Sequence, residues 1–229
     1  MPFPLMIFAA GFGTRMGALT ANQPKPLIKV AGRALVDHAL DLAATAGARP
    51  VVVNTHYLAG QMADHLANRP VILSEEPGQI LETGGGLRKA LPHLGKGPVM
   101  TLNSDAVWTG ENPLTQLARH WDPDRMEALL LLLPTDQATG HGGQGDFLMA
   151  ETGVLSRAKG APGLVYLGAQ ILQTEGLQQI EREVFSLNLL WDDMIARGKV
   201  HGLVHRGGWC DVGHPAGIAH AENLLANHV

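Results

Sequence analysis

The chain has one cysteine, no basic block and no apolar run long enough to cross a bilayer. A lone thiol, Cys210, cannot form an intramolecular disulfide and suits a reducing compartment. A net charge of −4 without clustered Lys or Arg excludes broad contact with a nucleic-acid backbone, though not a local anion site. The apolar start "MPFPLMIFAAG" is short and lacks a basic n-region, so it reads as a first strand and not as a signal peptide. A cytoplasmic chain with no membrane and no nucleic-acid partner is expected. There is no Ser- or Pro-rich linker, internal repeat or low-complexity tract. The 229 residues, 45% of them hydrophobic, are long enough for a sizeable core, and one α/β domain over 1–229 is the natural count.

What is present is an alternation of strands and helices. Strands are predicted over Leu5–Ala10, Pro50–Asn54, Pro70–Leu73, Pro98–Leu102 and Ala128–Leu133. Further strands are expected near Asp146–Ala150, Leu164–Ala169 and Val200–Val204. Helical spacing covers Ala34–Ala46, Leu58–Ala67, Gly84–Leu91, Leu114–His120, Leu187–Ala196 and Ala216–Ala226. Asp136–Gln144 is a polar, glycine-rich loop. This order predicts a Rossmann-like α/β fold: an open, mostly parallel twisted sheet with helices on both faces. Ligands of such sheets sit at the carboxyl ends of the strands.

The stretch "FAAGFGTRMGALTANQPKPL", Phe8 to Leu27, concentrates the chemistry. Gly11 and Gly13 follow the first strand directly. Amides of such a turn can cradle an anion, and an ordinary tight turn would look the same. A dinucleotide fingerprint fails, because Met16 stands where a third glycine is needed and the second strand ends at Asn54 instead of an acid. A P-loop fails for want of G-K-[ST]. Lys25 lies between Pro24 and Pro26, and the following proline pushes it towards an extended backbone. A lysine so restrained is preorganised for a phosphate, and Arg15 adds a planar donor fork.

These residues carry a resemblance. "AAGFGTRM…PKPL" is similar to the signature of the sugar-1-phosphate nucleotidyltransferases, and the likeness continues through "VAGRALVDHAL", "LETGGGLRKAL", "LNSDAVW" and "WCDVGHP". Among its members the chain most resembles short bacterial forms without an appended β-helix domain. The resemblance implies the nucleotide-diphospho-sugar transferase fold and a single nucleotidyltransferase domain. One departure is visible: where relatives often read R-P-L-T after R-M, this chain has Gly17, Ala18, Leu19 and Thr20. The loop thereby lacks a cation and a rigid proline.

The implied reaction is attack of a sugar-1-phosphate oxygen on the α-phosphorus of a nucleoside triphosphate, with pyrophosphate leaving. A phosphate monoester has a second pKa near ~6 and needs no general base at neutral pH. That agrees with the absence of any recognisable Ser-His-Asp or Cys-His signature. Cations and Mg²⁺ are what the chemistry requires.

By the resemblance, Arg15, Lys25 and Asp105 are catalytic, and Asp105 and Asp211 hold the metal. Asp105 ends the strand "PVMTLNSD"; Asp211 follows "GGWC". Alone, each reads equally as a turn aspartate. Nucleotide binding is implied for Ala10, Gly11, Gly13, Thr14, Arg15, Lys25, Glu82, Thr83 and Gly84. The glycines of "LETGGG" would let a flat base approach the backbone, and Thr83 reads also as a helix N-cap. Asn103 stands two residues before Asp105 and would share its side of a strand. With Gly145, Asp146, Tyr166 and Gly168 it is implied at the sugar. Cys210 reads as a small buried residue, sensitive to alkylation if near the metal. The eleven histidines show no metal-ligand spacing, and His201 and His205 read as ordinary. The implied substrates are UTP and N-acetylmuramic acid 1-phosphate, with GTP and mannose 1-phosphate as the alternative. A non-catalytic sensor or a glycosyltransferase are the rival classes. The first would be expected to lack Lys25, Asp105 or Asp211; the second expects D-x-D where this chain has "NSD". A monomer or small homo-oligomer is expected.

Overall fold

The computed structural model describes residues 2–227. In chain order the strands are β1 (Leu5–Phe8), β2 (Lys29–Val30), β3 (Arg33–Ala34), β4 (Val51–Thr55), β5 (Ile72–Glu75), β6 (Val99–Asn103) and β7 (Ala106–Trp108). They continue with β8 (Ala128–Pro134), β9 (Ala138–Thr139), β10 (Phe147–Met149), β11 (Leu155–Arg157), β12 (Leu164–Leu172), β13 (Val200–Val204) and β14 (Trp209–Asp211). The helices are α1 (Leu35–Ala46), α2 (Ala59–Leu66), α3 (Glu82–Leu94), α4 (Pro113–His120), α5 (Asn188–Ala196) and α6 (Ala216–Ala226).

Nine strands form the main sheet, in the order β11-β10-β12-β6-β1-β4-β5, with β8 paired to β12 and β13 to β8. The pairs β1–β4, β1–β6, β4–β5 and β8–β13 are parallel. β12 runs against both β6 and β8 and is the reversed strand inside the sheet. Side chains of β1 alternate between its faces. Leu5 and Ile7 join the cluster containing Val36 of α1, Met62 of α2 and Leu114 of α4. Met6 joins the opposite cluster with Leu87 of α3 and Leu190 of α5. Helices therefore cover both faces, as the sequence predicts.

Some boundaries differ. α1 ends where Gly47 takes φ 67°, ψ 24°, the left-handed cap its sequence implies. α3 begins at Glu82, two residues before the glycines. The polar loop 136–144 contributes β9 to a separate three-stranded sheet, β7-β14-β9. No periodicity marks this small sheet, because its strands have only two or three residues. It nonetheless sets the site. Asp211 pairs in register with Ala106, and the Val212 N–H donates to the Asp105 carbonyl at 2.9 Å.

Candidate active site

The cleft opens at the carboxyl ends of β1 and β6, which pair Phe8 with Asn103. It encloses about 370 Å³ and is lined by Ala10, Gly11, Gly13, Thr14, Arg15, Lys25, Glu82, Thr83, Asn103 and Asp105, among others. Ten of the residues singled out in the sequence thus come together from four separate segments. Ser104 holds the two strand ends in place: its Oγ donates to the Phe8 carbonyl at 2.7 Å.

Lys25 is 8% exposed, and its Nζ donates to Asp105 Oδ2 at 2.7 Å. It does not lie in extended backbone. Pro24 is extended, and Lys25 opens a 3₁₀ turn closed by the Leu27 and Ile28 amides. The turn still fixes the lysine, because proline φ is locked on both sides of it. Asp105 is likewise past the end of its strand. β6 stops at Asn103, and Ser104–Asp105 turn into β7. Asn103 and Asp105 share the cleft because of that turn, not through strand alternation.

Asp211 is the last residue of β14, so it belongs to a strand of its own beyond β13. Burial holds its carboxyl above the ordinary carboxylate range, and the Asp105 charge adds to this; Lys25 and Arg15 act the other way. The carboxylates of Asp105 and Asp211, with Lys25 engaging one oxygen of the pair, match the donor set Mg²⁺ takes when phosphates and water complete it. Among the described residues no third His, Cys, Asp or Glu joins them in a metal-binding cluster. Cys210 is fully buried and its thiol is pushed up to about 11, chiefly by burial, so it is shielded from alkylating agents.

The "LETGGG" segment is used differently from the expectation. Gly84 does not face the cleft. A Cβ on it would lie 2.3 Å from the Phe185 ring, one on Gly85 2.4 Å from the Glu183 carbonyl, and one on Gly86 2.7 Å from Glu76 Oε1. The glycines make room for the protein's own chain. The Gly84 and Gly85 amides both donate to the Phe185 carbonyl. Thr83 is inside α3, and its Oγ1 accepts the Leu187 N–H at 2.9 Å, so it is not the N-cap. Glu82 and Thr83 remain on the cleft wall.

A second cavity of about 340 Å³ shares Phe8, Thr83 and Asn103 with the first. Asp146 and Tyr166 line it, with Phe147, Arg157, Gln170, Asn188 and Trp191. Asp146 Oδ2 accepts the Tyr166 N–H at 2.8 Å. Burial raises the Tyr166 hydroxyl pKa. Its ring meets Trp191 edge-on at 5.0 Å, and Trp191 Nε1 donates to Gln170 Oε1 at 2.9 Å. Gly145 and Gly168 are not on the wall. Gly168, at φ 81°, leaves room for Asn103, whose side chain a Cβ there would meet at 2.7 Å. Gly145, at φ 103°, lets the chain pass Gly163.

Sequence reasoning missed Arg157, which ends a three-residue strand, and Gln170, Asn188 and Trp191, which sit on β12 and α5 without a motif of their own. It also missed the pair Asn54 and Glu76. Glu76 stands beside Glu75 in "SEEP", and nothing local tells the buried acid from the exposed one.

Comparison with known proteins identifies the family and the fold. A family model for the MobA-like NTP transferase domain matches residues 5–220. The chain is 39% identical to an N-acetylmuramate alpha-1-phosphate uridylyltransferase of Caulobacter vibrioides over 96% of both chains. It is 32% identical to the protein of that name in Neisseria meningitidis, again over 96% of both. A putative glucose-1-phosphate thymidylyltransferase from Bacillus anthracis superposes with a TM-score of 0.82 at 13% identity, over 99% of this chain and 96% of that one. HddC from Yersinia pseudotuberculosis, complexed with GMP-PN, gives 0.77 at 18% identity, over 97% and 99%. These two show the fold, and the family match shows the lineage: the chain belongs to the MobA-like NTP transferase family.

Proposed function

We propose that this chain transfers the uridylyl group of UTP to N-acetylmuramic acid 1-phosphate, forming the nucleotide sugar and pyrophosphate in a Mg²⁺-dependent reaction. The observation that carries the reading is the pair of buried Lys25 and half-buried Asp105, 2.7 Å apart, on the cleft that Gly11, Gly13 and Arg15 also line. The Caulobacter and Neisseria relatives support the choice of base and acceptor by their names. No step calls for a proton acceptor, since the attacking phosphate is largely dianionic above its second pKa of ~6.

Each residue then has a task. Amides of the Gly11–Gly13 turn and the Arg15 fork hold the triphosphate. Lys25 donates one N–H to Asp105 and keeps two for phosphate oxygens. Asp105 and Asp211 would hold Mg²⁺, which when bound supplies positive charge to the phosphate oxygens. Glu82 and Thr83 border the nucleoside. Asn103, Asp146 and Tyr166 border the sugar in the second cavity, whose shared wall sets the acceptor beside the α-phosphate. We further propose that the single domain works in the cytoplasm as a monomer or small homo-oligomer; no described helix is long and apolar enough to cross a membrane.

The test is a matrix of kcat/KM over four nucleoside triphosphates and several sugar 1-phosphates, read by pyrophosphate release with and without Mg²⁺. The expected maximum is UTP with N-acetylmuramic acid 1-phosphate, lost in EDTA and restored by Mg²⁺. A maximum at GTP with mannose 1-phosphate would replace this assignment. Nucleotide binding without pyrophosphate release from any pair would make the protein a sensor.

A further inference from the structure

Arg157 is the one cation among the described residues lining the second cavity, and nothing in the reaction above uses it. It ends β11 in register with Phe147. Its guanidinium lies over the Phe147 ring at 5.0 Å and over Trp191 at 5.5 Å. α5 clamps one side of it. Nε donates to Asp192 Oδ1 at 2.9 Å and Nη2 to Asn188 Oδ1 at 2.9 Å. No hydrogen bond from Nη1 to a described residue exists. Packing the charge against two aromatic faces removes rotamer freedom from a side chain that otherwise holds much of it. The result is a preorganised donor edge on the wall of a polar cavity.

The partner of such an edge is an anion, and a planar carboxylate above all. The other charged side chain on this wall, Asp146, is committed through Oδ2 to the Tyr166 amide. Asp192 is 59% exposed in its side chain, so its pairing with Arg157 is weak and does not use up the guanidinium. The proposed acceptor carries what this edge fits. N-acetylmuramic acid is N-acetylglucosamine with a lactyl ether on O3, and that ether ends in a carboxylate. We infer that Arg157 binds the carboxylate of the acceptor sugar and thereby selects it over the neutral parent sugar phosphate. This rests on the proposed acceptor. It explains why an arginine is stacked and clamped where the chemistry itself needs no cation.

The experiment compares kcat/KM for N-acetylmuramic acid 1-phosphate and N-acetylglucosamine 1-phosphate, with UTP saturating, in wild type, Arg157→Gln, Arg157→Lys and Asp192→Asn. Wild type should prefer the carboxylate-bearing acceptor. Arg157→Gln should lose about ten- to hundredfold of that preference, the worth of one charged hydrogen-bonded contact. Arg157→Lys, which keeps the charge but not the fork, should lose an intermediate share, and it carries the test if the glutamine variant does not fold. Asp192→Asn should hold the wild-type preference or raise it. If Arg157→Gln and Arg157→Lys both keep the wild-type ratio, Arg157 has no part in selection while the proposed reaction stands. If Asp192→Asn loses as much as Arg157→Gln, the clamp and not the guanidinium is responsible, and the inference falls. If wild type shows no preference for the carboxylate-bearing acceptor, both the inference and the proposed acceptor fall.

Discussion

Replacing Glu76 by glutamine tests whether the two loops of the cleft are held by one buried relay. Glu76 is 1% exposed and accepts two hydrogen bonds, from Asn54 Nδ2 at 2.7 Å and from the Leu81 N–H at 2.8 Å. Asn54 Oδ1 in turn accepts the Ala9 N–H at 2.7 Å. The relay runs from the end of β1, just before the glycine turn, to the residue preceding α3. Glutamine has nearly the same volume but one acceptor oxygen, so its amide must face either the Asn54 amide or the Leu81 N–H, donor against donor. One charge-assisted bond is lost and one buried donor is left unpaired, which together cost about 2–4 kcal/mol. For a chain of this size that lowers Tm by about 5–12 °C. Thermal unfolding followed by circular dichroism reads this directly, and nucleotide titration should show a raised KM, since both loops lose their mutual reference. A fall in Tm below about 2 °C with unchanged KM would refute the relay. An Asn54→Ala, Glu76→Gln cycle checks the coupling: the double variant should cost less than the sum of the singles.

Asp105→Asn and Asp211→Asn should each remove most turnover while circular dichroism stays native; near wild-type kcat at saturating Mg²⁺ in both would end the metal assignment. Lys25→Ala should lower kcat/KM by about ten- to hundredfold, the value of a charged contact of roughly 1.5–3 kcal/mol; an unchanged rate with a lowered Tm would make Lys25 structural. His205 gives a pH prediction. Gln116 Oε1 accepts the Arg206 N–H, so its Nε2 is the atom that donates to His205 Nδ1 at 2.8 Å, and the imidazole is held neutral. Burial lowers the pKa of His205, and of His201, below the ordinary 6.5. The unfolded chain therefore binds more protons just below that value, and stability falls as pH drops through it. His205→Asn should reduce the slope of unfolding free energy against pH below 6.5 by up to one proton, about 1.4 kcal/mol per pH unit; an unaltered slope would refute the assignment.

The sheet and its helices were legible because they rest on long periodic runs. Ala128–Pro134 is seven residues of nearly pure hydrocarbon and α1 twelve with a glycine stop. The phosphate end of the site was legible for a related reason, since "GFGTRM" and "PKPL" are local stretches whose residue types restrict one another. What escaped was long-range. The resemblance names Asp105 and Asp211 together, but the pairing of β14 with β7 that joins them spans more than a hundred residues, and three-residue strands leave no period to read. Arg157 reaches the cavity through a strand equally short. The departure at Gly17 also has a structural reason that composition alone does not carry. Its backbone, φ 58° and ψ −127°, kinks the 3₁₀ segment Thr14–Thr20 into a region that side chains with a Cβ rarely adopt.

The glycines show how a correct motif can carry an incomplete explanation. From sequence, a glycine beside a binding loop suggests a ligand approaching the backbone. In the fold, several of these positions are filled by the side chains that form the site. A Cβ on Gly13 would lie 2.8 Å from Lys25 Cβ, one on Gly213 2.5 Å from Asp211 Oδ2, one on Gly168 2.7 Å from Asn103, and one on Gly86 2.7 Å from Glu76. Each hole admits one polar or charged side chain that would otherwise be displaced. Real Cβ atoms do not approach that closely, so an alanine at any of the four must push its neighbour away. The two kinds of residue therefore depend on each other. Lys25, Asp211, Asn103 and Glu76 hold their positions because the glycines next to them have no side chain, and the motif is glycine-rich as much for the protein's own groups as for a phosphate.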